Sequence, residues 1–152
     1  MNRLLIEIKA RCADPLSIEA ILKAQNAEFR GIDHQIDTYF RATTGRLKLR
    51  EGNIENTLIY YNRPNQSGPK QSDVTLFKTP DEASALKKIL TDSMGILTVV
   101  DKKRSIYFIE NVKFHIDEVL GLGYFVEIEA INSENIIEIL SPETLFSQCF
   151  RT

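Results

Sequence analysis

The sequence predicts an α+β protein built as a closed or nearly closed antiparallel eight-stranded β-barrel with peripheral helices. Apolar and charged residues alternate with a period of two along much of the chain, which is typical of strands with unlike faces. Helical patterns are confined to a few short segments, so nothing requires the parallel crossovers of an α/β fold. The length of 152 residues fits a single domain, which we place at residues 1–152.

The predicted strands fall into two groups. The alternation is clearest in four segments, at 6–12, 46–50, 112–117 and 126–130. Two further strands, predicted at about 54–63 and 72–79, alternate less cleanly. Another is predicted at about 96–104 and ends in Lys102 and Arg104, and one at about 34–41 carries Asp37, Tyr39 and Arg41 on one side. Residues 63–70, with arginine and lysine at its ends, are predicted to form a loop.

Helices are predicted at about 15–27 and 80–91, with a short third one at 133–140. Asp14 and Pro15 are a good N-cap and first-turn pair. Asp81 and Glu82 suit the first turn of the second helix, where the helix dipole favours negative charge. The predicted order without the third helix is β-α-β-β-β-β-α-β-β-β.

The overall composition excludes several classes of protein. A net charge of −2 argues against a general binder of nucleic acid or of membrane surfaces. No segment approaches the roughly 20 apolar residues of a membrane span, and no signal peptide is evident, so we expect a soluble cytoplasmic protein. Cys12 and Cys149 are expected to be unlinked thiols in a reducing compartment.

Charge is concentrated on the polar faces of five predicted strands. These faces carry Glu7, Lys9, Arg11; Arg46, Lys48, Arg50; Lys102, Arg104; Lys113, His115, Asp117; and Glu127, Glu129. A solvated outer face is one interpretation. The charges alternate in the same phase on all five strands, and this favours a second interpretation. In it the charged side chains line a barrel interior and are compensated by one another or by a ligand.

The mixture of signs indicates the chemistry of that ligand. Arginine and lysine suit phosphate oxygens, and carboxylates supply the hard oxygen ligands that Mg²⁺ or Mn²⁺ prefers. A metal–polyphosphate complex suits a site that contains both cationic residues and carboxylates better than a bare anion does. The GxxxxGK[ST] pattern is absent, so the chain is not a P-loop enzyme.

Several ordered segments resemble one known family. They are Ile6-Glu7-Ile8-Lys9-Ala10-Arg11, Asp37-Thr38-Tyr39-Phe40, Gly45-Arg46-Leu47-Lys48-Leu49-Arg50-Glu51, Ile59-Tyr60-Tyr61-Asn62-Arg63, Lys102-Lys103-Arg104, and His115-Ile116-Asp117 leading to Glu127-Ile128-Glu129. Together they resemble the CYTH superfamily of class IV adenylyl cyclases and thiamine triphosphatases, also called triphosphate tunnel metalloenzymes, over about residues 4 to 130. The resemblance is closest to the class IV cyclase-like branch.

The resemblance implies roles for individual residues. The triphosphate would be held by Lys9, Arg46, Lys48, Arg50, Arg63, Lys102, Arg104 and Lys113. The Mg²⁺ or Mn²⁺ ions would be faced by Glu7, Asp117, Glu127 and Glu129. Leu5 stands where the first glutamate of the family's ExExK pattern belongs, which removes one carboxylate.

Three residues have less defined roles. Lys9 is a candidate general base if neighbouring cations depress its pKa, and Tyr39 is a candidate for orienting the nucleophile. His115 is expected first as a hydrogen-bonding residue of the wall, with a phosphate contact or acid–base catalysis as alternatives.

The resemblance leaves three functions open. The first is cyclisation of ATP to cyclic AMP and pyrophosphate. The second is hydrolysis of inorganic triphosphate, a nucleoside triphosphate or thiamine triphosphate. The third, prompted by Leu5, is a polyphosphate- or nucleotide-binding module with little turnover. The expected partner is thus a small triphosphate and neither nucleic acid nor membrane, and a homodimer is left open.

Overall fold

The structure, a computed structural model, describes residues 2–62, 70–80 and 83–131, without the side chains of 2–6, 70, 71 and 131. In chain order the elements are β1 (Asn2–Arg11), α1 (Pro15–Ala24), β2 (Glu28–Phe40), β3 (Arg46–Glu51), β4 (Asn56–Asn62), β5 (Lys70–Lys78), α2 (Ser84–Met94), β6 (Ile96–Ile109), β7 (Val112–Val119) and β8 (Gly123–Ile131). The predicted α+β class and element order are confirmed over these ranges.

The eight strands form one antiparallel sheet. Neighbours follow the order β1-β5-β4-β3-β2-β6-β7-β8, and β1 pairs with β8 as well as with β5. Strands distant in sequence therefore become neighbours, such as β2 with β6 and β1 with β8. This order brings the charged segments of the two chain ends side by side.

Both helices differ from their predicted bounds. The first ends at Ala24 because Asn26 adopts a left-handed backbone conformation, with φ of 57°. The second begins at Ser84, beyond the predicted start at Pro80, and ends before Gly95, where φ is 80°. The predicted helix at 133–140 and most of the predicted loop, residues 63–69, lie outside the described residues.

Two strands, β2 and β6, extend furthest beyond their predicted bounds. In β2 the register shifts between Phe29 and Gly31, and this irregularity breaks the period of two on which the prediction depended. In β6 both Ile106 and Tyr107 are buried, because Tyr107 packs in the core beneath α1. A strand buried on both faces shows no alternation.

Apolar residues cover the outside of the sheet where the helices pack. Ile18 and Leu22 of α1 belong to a buried cluster with Phe114, Val126 and Ile128, among others. Helix α2 packs over a smaller cluster that contains Phe40, Leu49 and Leu90. Since side chains alternate along a strand, covering the apolar faces with helices turns the charged faces toward the interior.

Neither of the two helices in the described ranges has the length and apolar content that a membrane crossing requires. Cys12 is buried in the cluster beneath α1. Its predicted lack of a disulfide to Cys149 stays a prediction, because Cys149 lies outside the described residues.

Candidate active site

A cavity of about 660 Å³ lies inside the sheet, and all eight strands contribute side chains to it. The ionisable side chains that line it are Glu7, Lys9, Tyr39, Lys48, Arg50, Glu55, Tyr61, Lys78, Lys102, Arg104, Lys113, His115, Glu127 and Glu129. Most of the alternating charges therefore face inward, as the prediction of a charged interior required.

Strand register arranges the acidic part of this cavity in two rows. Glu129 of β8 lies between Glu7 of β1 and Lys113 of β7. In the next row Glu127 lies between Lys9 and His115. Residues directly opposite one another in an antiparallel pair have neighbouring side chains, so each glutamate has one cationic neighbour.

Arg50 is held by a carboxylate behind the cavity wall. Its Nε and Nη2 donate to the two oxygens of Asp37, at 2.9 and 2.8 Å. Asp37 is fully buried, and Lys102 Nζ and Lys48 Nζ lie 3.2 and 3.5 Å from its Oδ2. Burial opposes ionisation, but Arg50 and the two lysines hold the pKa of Asp37 far below its usual range.

Arg104 is held in the same way on the neighbouring strands. Its Nε and Nη2 donate to Asp117 at 2.8 and 2.7 Å, and Nη2 also donates to Glu127 Oε2 at 3.2 Å. Asp117 has no exposed surface. These two-point contacts fix the planes of both guanidinium groups before any ligand arrives.

Lys102 lies in the cavity wall and is only 5% exposed. Burial, followed by the nearby charges of Arg104 and Arg50, lowers the pKa of its ammonium group to about 7, although Asp37 opposes this. Lys9 was a candidate general base on the condition that neighbouring cations depress its pKa. In the structure a lysine with a lowered pKa beside cations is found at Lys102 instead.

Glu127, Glu129 and His115 form a cluster whose candidate ligand atoms all lie within 4.8 Å of one another. Burial and the charge of Glu127 raise the pKa of Glu129 to about 7. Burial alone would raise the pKa of Glu127 as well, but Arg104 and His115 hold it well below the usual range. Burial and Arg104 lower the pKa of His115, which favours the neutral imidazole. Two carboxylates and a neutral imidazole at this spacing fit a divalent cation.

The aromatic part of the charged wall is formed around Lys48. Its Nζ lies 5.3 Å from the ring centre of Tyr39 and 5.7 Å from that of Tyr61, and it donates to the Tyr39 hydroxyl at 3.4 Å. Burial and the charge of Asp37 raise the pKa of Tyr39. The phenol therefore keeps its proton and can donate a hydrogen bond.

The wall formed by β4 and β5 differs from the rest in containing an apolar cluster, beside the polar lining residues Asn56, Thr57, Ser72 and Lys78. Ile59 and Tyr61 of β4 and Val74 of β5 form a buried cluster against which Leu76 packs, and all four line the cavity. This apolar cluster was not predicted from the sequence, because these two strands alternate poorly. The cavity thus combines a charged wall with an apolar one.

The structure brings together most of the residues that the sequence analysis proposed. Lining the cavity are Glu7, Lys9, Tyr39, Lys48, Arg50, Lys102, Arg104, Lys113, Glu127 and Glu129. Arg46 is exposed at the beginning of β3 and is not among the lining residues. Asp117, proposed as a metal ligand, lies behind Arg104, which occupies both of its oxygens. Arg63 lies outside the described residues.

Several supporting residues were not predicted. Asp33 is fully buried and accepts from the backbone N–H groups of Ile54 and Glu55, at 2.8 and 3.0 Å. This contact holds the β3–β4 turn so that Glu55 Oε2 accepts from Arg50 Nη1 at 3.2 Å. A signal existed in the polar alternation of β2, in which Asp33, Gln35, Asp37 and Tyr39 are every second residue.

A sequence profile of one family, the CYTH domain, matches residues 4–137. The chain belongs to the CYTH domain family. The match covers every strand that contributes to the cavity. CYTH proteins are in general metal-dependent and act on triphosphates, and the cavity of this CYTH domain offers both acidic and cationic groups.

Several solved structures are similar in fold to this CYTH domain. PH1012 from Pyrococcus horikoshii is 27% identical with a TM-score of 0.73, over 85% of this chain and 79% of that one. A proposed adenylate cyclase from Vibrio parahaemolyticus is 17% identical with a TM-score of 0.69, over 97% and 87%. A proposed adenylyl cyclase from Hippeastrum, described as having a dominant triphosphatase activity, is 18% identical with a TM-score of 0.59, over 94% and 83%. No curated protein sequence matches this CYTH domain significantly.

Proposed function

We propose that this CYTH domain is a metal-dependent enzyme acting on an organic triphosphate, with cyclisation of ATP to cyclic AMP and pyrophosphate as the first candidate reaction. The observation that carries the proposal is the cavity, whose charged wall places four cations beside a carboxylate cluster. Those cations are Lys48, Arg50, Lys102 and Arg104. In this proposal the strand ring acts as a closed tunnel that holds the triphosphate.

The cationic wall supports binding of several phosphate groups in a row. Because Asp37 and Asp117 orient Arg50 and Arg104 beforehand, little side-chain entropy is lost when phosphate binds. Lys48 and Lys102 lie beside Asp37 and add charge to the same stretch of wall. Lys9 and Lys113 extend it toward the glutamates.

Glu7, Glu127 and Glu129 would hold Mg²⁺ or Mn²⁺, since all three line the cavity and the last two belong to the cluster with His115. A bound ion supplies charge neutralisation of the phosphate oxygens during transfer. Asp117 is proposed to act through Arg104, by orienting its guanidinium, rather than as a metal ligand.

The apolar wall favours a substrate with an organic group over inorganic triphosphate. Ile59, Val74 and Leu76 offer no partner for phosphate oxygens, but they bury apolar surface well. A base or thiamine ring lying against β4 and β5 would leave its phosphates facing the charged wall.

Two reactions fit this placement. In cyclisation the ribose 3′-hydroxyl attacks the α-phosphorus and pyrophosphate leaves. In hydrolysis water attacks the terminal phosphorus and orthophosphate leaves. Lys9, with Nζ 3.9 Å from Glu127 Oε2, is proposed to contact the phosphates beside the glutamates, and the protonated Tyr39 is proposed to orient the attacking oxygen. The triphosphatase activity of the Hippeastrum relative makes hydrolysis the second candidate.

Product analysis tests the proposal. The purified protein is incubated with Mg²⁺ or Mn²⁺ and, separately, with ATP, thiamine triphosphate and inorganic triphosphate. Cyclic AMP with pyrophosphate would support the cyclase, and orthophosphate would support the phosphohydrolase. Faster turnover of inorganic triphosphate than of both organic substrates would contradict the role given to the apolar wall. Saturable binding without any product would leave only the binding module.

Lys102 should take up a proton when a triphosphate binds. Its pKa of about 7 leaves it mostly neutral near pH 8, and bound phosphate raises that pKa, so uptake should approach one proton. Titration calorimetry with metal-free ATP near pH 8, in buffers of different ionisation enthalpy, measures the uptake. The Lys102→Met variant should lose the proton uptake that is due to Lys102. Lys103→Met, on the outer face, serves as the control. Equal uptake in Lys102→Met and the wild type would contradict the prediction.

A further inference from the structure

We propose that His115 is a direct nitrogen ligand of the bound metal ion, so that the site prefers a transition ion such as Mn²⁺ over Mg²⁺. This inference rests on the proposed function in that it concerns the same cavity. It goes beyond that function because an imidazole ligand changes which ion the site selects.

The first observation is the state of the imidazole ring. His115 is 1% exposed, and neither ring nitrogen has a hydrogen-bond partner within the part of the chain that the structure describes. A buried polar group without a partner costs free energy, which a ligand at that position would recover. The ring also lines the cavity, so an ion entering from the cavity can reach it.

The second observation is the direction in which the ring faces. Nδ1 lies 3.8 Å from Glu127 Oε1 and 3.9 Å from Glu129 Oε2, too far for hydrogen bonds. Two ligands that each lie about 2.1 Å from one ion are about 3 Å apart when adjacent in an octahedron and about 4.2 Å apart when opposite. The observed separations fall inside this range, so one ion can join all three atoms with small side-chain movements.

The remaining contacts leave these atoms available. Arg104 binds the other oxygen of Glu127, Oε2, at 3.2 Å, and Lys9 lies 3.9 Å from that same oxygen. Oε1 therefore faces His115 while Oε2 faces the cations. This division of the two oxygens lets Glu127 bind a metal ion without giving up its contact with Arg104.

The donor set determines the metal preference. Mg²⁺ favours an all-oxygen shell and gives up water reluctantly, whereas imidazole suits transition ions. One nitrogen with two carboxylate oxygens is a mixed set that Mn²⁺ accepts more readily than Mg²⁺. We therefore expect tighter binding of Mn²⁺ than of Mg²⁺ to the protein without substrate.

Pulsed electron paramagnetic resonance of Mn²⁺ added to the substrate-free protein tests the inference directly. Modulation of the electron spin echo by a coordinated imidazole nitrogen should appear in the wild type. The chain contains two histidines, and His34 is half-exposed beside Asp101, away from the cavity, so His34→Gln is a matched control that should keep the signal. His115→Gln should lose the signal and bind Mn²⁺ at least about tenfold more weakly. Any histidine purification tag is removed beforehand.

The outcomes separate this inference from the proposed function. Mn²⁺ that binds in the cavity without nitrogen coupling would overturn the role of His115 and leave a carboxylate-bound metal enzyme. Coupling that persists in His115→Gln would also overturn it. Absence of Mn²⁺ binding to the substrate-free protein would overturn the role of His115, whereas the proposed function is decided by the product analysis. If His115→Gln fails to fold, the presence or absence of nitrogen coupling in the wild-type spectrum, with His34→Gln as control, still tests the role of His115.

Discussion

Replacing Asp37 with asparagine is expected to lower the free energy of unfolding by about 3–5 kcal/mol, the usual cost of removing one partner from a buried ion pair. Asp37 is fully buried and neutralises Arg50 through two hydrogen bonds, with Lys102 and Lys48 close to the same oxygen. An amide cannot supply that charge, so these cations would be left facing one another. Urea unfolding followed by circular dichroism measures the loss.

Asp101→Asn is the matched control for this loss. Asp101 is 39% exposed and pairs with His34 on the outer face, so its replacement should cost less than about 1 kcal/mol. A second measurement links the loss to the ligand. Inorganic triphosphate supplies negative charge to the same cations and should raise the melting temperature of Asp37→Asn more than that of the wild type. If Asp37→Asn is as stable as the wild type, the cationic wall does not depend on this carboxylate.

Replacing Glu129 with glutamine is expected to reduce metal-dependent turnover by about 10²–10⁴-fold while leaving the fold intact. A metal ion is typically worth several kcal/mol of transition-state stabilisation, and each 1.4 kcal/mol corresponds to about tenfold in rate. The fold should survive because burial and Glu127 raise the pKa of Glu129 to about 7, so much of the side chain is already neutral near pH 7. A neutral amide removes the repulsion between two neighbouring carboxylates.

Initial rates with saturating metal and unfolding curves without metal measure the two halves of this prediction. Glu118→Gln is the control, since Glu118 is exposed on the outer face of the strand that carries His115. Wild-type rates in Glu129→Gln would mean that this carboxylate does not bind the metal. A large loss of stability without metal would mean that Glu129 is charged and structurally paired in the folded protein.

The two arginine–aspartate pairs give the cavity its character. Arg50 with Asp37 and Arg104 with Asp117 are directly opposite each other in neighbouring strands. Each aspartate lies behind its arginine, so the guanidinium is oriented and its charge is partly compensated before a ligand binds. We infer that this arrangement lets the protein fold around a concentration of cations that would otherwise repel one another.

Strand alternation by itself determined much of this protein. The period of two in segments such as 46–50 and 126–130 is a property of local chain geometry, so the inward phase of Lys48, Arg50, Glu127 and Glu129 could be predicted without knowing which strands are neighbours. The order of strands and helices followed from the same local patterns together with turn residues. The ordered segments also identified the family that the profile match confirms.

Only the tertiary structure decided which charges meet. Asp117 has the inward phase of a metal ligand, yet its pairing opposite Arg104 gives both of its oxygens to that guanidinium. His115 faces Glu127 and Glu129 because β7 lies beside β8. The apolar wall likewise depends on β4 and β5 facing the same cavity. Strand neighbours and register are set by packing across the whole sheet, and a local period cannot specify them.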